Sequence, residues 1–91
     1  MITKDMALTR DDLLRLLPGA LDGLPWRADA DRIRIGEEVG VDLLIEALPP
    51  RRFGPVDIPR LCVGFAFRGW GEAERGAFLA RFDRAFQRGG G

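Results

Sequence analysis

Apolar residues recur along this chain in two different rhythms. Leu13, Leu14, Leu16 and Leu17 open the first, and Leu14, Leu17, Leu21 and Leu24 carry one face onward at the three-to-four spacing of a helix. Thr9 stands where an N-cap belongs. Asp12 three residues on resembles the second half of a capping box, and Asp11 adds negative charge at the positive end of the helix dipole. The pattern predicts helix from Thr9 to about residue 22, broken or kinked at Pro18-Gly19 and ended by Gly23 and Pro25, with Trp26 tucked against the core.

The rhythm then changes to period two. Asp31 to Ile35 alternates cleanly, so a strand is expected with Ile33 and Ile35 inward. After a turn at Gly36-Glu37-Glu38, Val39 to Leu48 reads as a second strand. Val41, Leu43, Ile45 and Ala47 share one face, and Asp42 and Glu46 share the other. Two strands so close in sequence pair as an antiparallel hairpin. Residues 49–59 contain four prolines, which excludes a regular central strand and predicts an extended excursion. A third strand follows from Arg60 to Arg68, with Leu61, Val63, Phe65 and Phe67 inward. Gly69-Trp70-Gly71 breaks it. Helix is predicted from Glu72 to about Arg88, acidic at its start and arginine-rich at its end, with Phe78, Leu79, Phe82, Ala85 and Phe86 as its apolar stripe.

The expected fold is therefore α+β: a two-layer sandwich in the order helix, three-stranded antiparallel meander, helix, both helices on one sheet face. The expected organisation is a flexible N-terminus over 1–8, a single domain over 9–88 and a flexible glycine tail over 89–91.

Composition narrows the function more than it names one. The 91 residues are 46% apolar and 31% charged, ordinary for one globular domain. Fourteen basic residues balance fourteen acidic ones, so no overall positive charge draws the chain to nucleic acid or to anionic membranes. Nearly all the basic residues are arginine, as a GC-rich bacterial coding sequence favours. No leader peptide or membrane span is legible, and Cys62 alone cannot form an internal disulfide, so the expected compartment is the cytoplasm. The sequence has no His, Ser, Tyr or Asn, and only Thr3 and Thr9 bear aliphatic hydroxyls. Histidine acid–base chemistry, a serine nucleophile and a histidine-containing metal site are excluded, and no enzyme activity, cofactor or metal is expected.

Three surfaces remain as candidates. The sheet face away from the helices should carry Arg34, Leu44 and Glu46 around the small residues Cys62, Gly64 and Ala66. Small residues on a strand let another surface approach closely, whereas a purely solubilising face of arginine–carboxylate pairs is the plainer reading. The 49–59 segment offers Arg51, Arg52 and Phe53 on a proline-stiffened docking arm, unless Phe53 and Ile58 fold back to cap the core. These residues make a protein partner or self-association, as a homodimer or accessory subunit, the expected function. Arg81, Arg84 and Arg88 form a stripe on the last helix that could instead bind an anion or nucleic acid. A lone strand cysteine such as Cys62 serves most often as a small apolar filler. The terminal Gly90-Gly91 resembles that of ubiquitin-like sulfur carriers, which reach their tail through a strand rather than through a helix.

Overall fold

The computed structural model describes residues 1–87, and the expected glycine tail and Arg88 lie outside that range. The elements run β1 (Ile2–Met6), α1 (Arg10–Leu16), α2 (Pro18–Leu21), β2 (Trp26–Ala28), β3 (Arg32–Gly36), β4 (Gly40–Phe53), β5 (Val56–Arg68) and α3 (Glu72–Gln87). All strand pairs are antiparallel, in the order β1-β5-β4-β3-β2. The α+β class stands. The meander β3-β4-β5 forms the middle of a larger, five-stranded sheet, with one additional strand at each edge.

Both additions are short edge strands. Residues 2–6, expected as part of a flexible N-terminus, form β1, which pairs Ile2 with Phe65 and Met6 with Leu61. Lys4 lies on the helix-covered face and reaches Asp83 of α3 at 3.0 Å. Trp26 does not tuck inward. It opens β2, the edge strand, opposite Ile35 and stays 39% exposed.

Local chemistry sets the helix ends as expected. The Thr9 hydroxyl accepts the Asp12 amide at 3.1 Å. In return, hydrogen bonds from Arg15 and then Thr9 hold the Asp12 carboxyl below its ordinary value. Pro18, which cannot continue α1, becomes the first residue of α2. Asp22 and Gly23 then turn left-handed and end the helical segment. At the start of α3, Glu74 accepts the Gly71 amide at 2.9 Å.

The helices cover one sheet face. Leu13, Leu17 and Leu21 pack with Ile33, Ile35, Val41, Leu43, Val63 and Phe65 from the sheet and with Phe78, Phe82 and Phe86 from α3. The Phe82 ring meets Phe65 edge-on at 5.1 Å and Phe86 at 4.5 Å. Among the described residues no polar or charged residue is buried. The inward positions expected for the three meander strands lie on this face, although Ala47 is exposed and Ile45 and Phe67 are only partly covered.

The excursion expected over 49–59 is instead regular hairpin. β4 runs on to Phe53 and β5 begins at Val56, so Gly54-Pro55 is the tip of an arm. Leu48 pairs with Arg60 and Arg51 with Ile58, which leaves Pro49 and Pro50 opposite Pro59 in a bulge. Ladder geometry explains why prolines are tolerated here. The Ile45 amide donates outward to Asp31, so Ala47 and then Pro49 present their backbones to the same side of β4. By the same alternation Pro59 points away from β4 on β5. No strand flanks either position, because β3 starts opposite Leu44 and β1 ends opposite Leu61. Pro49 and Pro59 therefore occupy edges, where a missing amide costs no ladder hydrogen bond, and Pro50 falls in the bulge.

Candidate functional site

Cross-strand partners share a face, so the register fixes what the open side of the sheet displays. Gly64 sits between Thr3 and Leu44, and Cys62 between Asp5 and Glu46. Ala66 is opposite Asp42, which is in turn opposite Arg34. Leu44, Glu46, Cys62, Gly64 and Ala66 thus form the patch expected from the sequence. The Met1 side chain lies over Gly64, where an added Cβ would come 3.2 Å from the Met1 sulfur. Leu44, Leu48, Cys62 and Ala66 are half-buried by their neighbours alone, with no element above them.

The patch runs on into the arm. Arg51 faces Ile58 and Phe53 faces Val56; Arg51, Phe53 and Ile58 line one shallow groove with Asp5 and Arg60 of the open face. Phe53 is 59% exposed, and Ile58, half-buried, is not among the residues packed against the core, so neither folds back to cap it; Val56 beside them is 55% exposed. Arg52 projects to the other side of the arm and is ion-paired to Asp57 at 3.0 Å. Of the expected partner-binding residues it is the one the structure separates from the rest.

Charges on this face are partly committed. Arg60 pairs with Asp5 at 3.0 Å, and Arg68 with Asp42 at 3.2 Å. Arg34 approaches the same Asp42 at 4.0 Å and donates to the Glu37 carbonyl at 2.9 Å. Arg27, Arg32, Arg51 and Glu46 make no ion pair among the described residues. Several of these positions were not legible as one site. Thr3 and Asp5 enter through β1 and Arg27 through β2, the two edge strands without a clear sequence signal. Val56 joins them only because the proline segment is strand.

The alternative stripe on α3 is less open to a ligand. Arg81 donates to the Ala20 carbonyl at 3.2 Å and lies 6.0 Å from the Phe78 ring, tying α3 to α2. Arg84 is exposed. Among the described residues no group of His, Cys, Asp and Glu converges to hold a metal ion, and no helix is long and apolar enough to cross a membrane. Comparison with protein-family models, with curated proteins and with solved structures finds no match for the chain.

Proposed function

We propose that this chain is a non-enzymatic protein-interaction domain that binds through the open face of its sheet and the β4–β5 arm. One observation carries the reading. Three helices cover one side of a five-stranded sheet, while no helix or strand covers the other side from Ala66 through Leu44 and Leu48 to Phe53 at the arm tip, where only the Met1 side chain lies over Gly64. A continuous surface of leucines, small residues and an exposed aromatic is costly to leave in water and is characteristic of contact surfaces. The arm is stiffened by its prolines and by the Arg52–Asp57 pair, so it loses little freedom on docking. Its proline-bearing edges disfavour strand addition along the arm, which leaves the faces as the contact surface. The absence of His, Ser and Tyr supports a binding role over a catalytic one.

The test is site-specific photo-cross-linking in the cells that natively make the chain. A benzophenone side chain replacing Leu44 on the open face should give discrete protein adducts, and one replacing exposed Ala77 on α3 should not. Equal adducts from both positions, or none from Leu44, would refute the reading.

A further inference from the structure

The helical cover stops one strand short of the β1 edge. Residues paired across β1 and β5 share a face, so Ile2, Lys4 and Met6 stand on the helix side with Phe65, Val63 and Leu61. The β5 members are 2%, 0% and 5% exposed. Their partners overhang that cover: Ile2 is 47% exposed, Met6 is half-buried, and Lys4 between them reaches in to Asp83. A hollow opens at each end of the strand, one beside Ile2, Phe65 and Arg75, the other beside Met6, Phe82 and Phe86. The backbone of β1 is open as well. Ile45 bonds toward β3, so Leu44 and its partner Gly64 bond to each other, and Val63 and Phe65 turn to β1. Ile2 and Lys4 answer them, which directs the amides and carbonyls of Thr3 and Asp5 away from the sheet. Among the described residues neither has a backbone partner there.

We propose that a second copy of the chain adds its own β1 to this edge, antiparallel across a two-fold axis at Lys4. In that register Thr3 and Asp5 of each copy exchange backbone hydrogen bonds with Asp5 and Thr3 of the other, and all of Ile2–Met6 is used. On the helix side Ile2 of each copy falls opposite Met6 of the other, where the exposed isoleucine enters the hollow beside Met6 and Phe86. An axis at Asp5 would set two carboxylates together, and one at Thr3 would set Ile2 beside Lys4 instead of Met6. An inward-pointing charge is a common guard against edge pairing. Lys4 is such a residue, but Asp83 neutralises it at 3.0 Å, so two apposed Lys4–Asp83 pairs bring no net charge to the axis. A foreign strand is the poorer occupant, since it gains the same main-chain bonds but covers one Ile2–Met6 overhang, whereas a second copy covers two. The β2 edge, three residues long, offers a shorter ladder. Both helical layers then lie on one side of a continuous sheet and both open faces on the other, still uncovered.

Sedimentation velocity of the full chain, from about 1 to 100 µM, should show a species of twice the chain mass. Thr3→Pro removes an outward amide that no strand of the same copy uses, so it should keep the far-ultraviolet circular dichroism and raise the dimer Kd by about tenfold or more. A pair of cysteine variants reads the register without a proline. In a Cys62→Ala background, Lys4→Cys brings two thiols together on the axis, at a Cα separation of about 4.5 Å, and mild oxidation should link the copies. Thr3→Cys in the same background meets its counterpart only on a diagonal of about 7–8 Å and should link roughly tenfold more slowly or not at all. A monomer throughout the concentration range overturns the inference. So does a dimer that Thr3→Pro leaves intact, or faster linking from Thr3 than from Lys4. The cysteine pair decides the register even where Thr3→Pro disturbs the fold. The open face takes no part in this contact, so the cross-linking from Leu44 tests the interaction reading separately.

Discussion

At the end of β5 the guanidinium of Arg68 donates to the Asp42 carboxylate and to the carbonyls of Ile35, Glu37 and Glu38. One side chain thereby holds together the turn between β3 and β4. The turn is too tight for anything but glycine at its base. A Cβ on Gly40 would fall 2.0 Å from the Ile35 oxygen, and Gly36 has φ +81° with a Cβ position 2.3 Å from the Val39 oxygen. Replacing Arg68 with Met should lower stability by about 2–3 kcal/mol in urea unfolding, since it removes charged hydrogen bonds and leaves a largely covered Asp42 with only Arg34 nearby. Lys at this position should recover less than half, because an ammonium cannot fork across several acceptors. A loss under about 0.5 kcal/mol for Met would show that the clamp is ornamental. The sequence places Arg68 at the strand end and on the correct face. What hid its role is that its acceptors are backbone carbonyls of a turn about thirty residues earlier, which no side-chain pattern announces.

Among the elements, the arm and the α3 stripe put phenylalanine to opposite uses. Phe82 is 1% exposed and touches three other rings, whereas Phe53 stands 59% exposed at the arm tip. Phe82→Ala should therefore cost about 3–5 kcal/mol, and Phe53→Ala less than about 0.5 kcal/mol, by thermal or urea unfolding. A large cost at Phe53 would mean that the arm tip is packed after all. Elements with a buried face were legible to within a few residues. The leucine run of α1, the alternation in β3 to β5 and the stripe of α3 all signal a side that leaves water. β1 and β2 were not legible, since each pairs along one edge only. β1 also places Lys4 on the covered face, where it is accommodated by Asp83 rather than by apolar packing. The arm was read as a loop because its prolines were judged by the rule for central strands. The edge geometry that exempts Pro49 and Pro59 depends on which neighbours stop short, a tertiary fact. The candidate face followed the same division: its centre was read from β4 and β5, and its borders came from the strands that were missed.

Taken as a whole, the molecule is elongated, 45 by 24 by 22 Å, with the helix-covered sheet as its body and the two-stranded arm as an extension. Such a shape should not open uniformly. Amides of β4 and β5 under the helices, such as Leu43 and Val63, should exchange with deuterium only on global unfolding, and those of Arg52 and Val56 through low-energy local opening. Native-state exchange monitored along a urea series distinguishes the two classes, and a single exchange energy for arm and body would contradict the division. The division also separates tasks, since the exposed surface proposed to bind contributes little of the apolar burial that holds the body together.

The pairing of β1 has a consequence for synthesis. Ile2–Met6 are among the first of these residues to be made, yet their strand partners, Leu61 to Phe65, follow some sixty positions later. Until β5 leaves the ribosome, β1 has no ladder to join, so the sheet closes along its β1 edge only after β5 has been made. The helices α1 and α2, seven and four residues long, are too short to persist without the surface they cover. A chain halted before residue 61 would thus carry an unformed cover and an unpartnered strand together, with nothing complete enough to bury either.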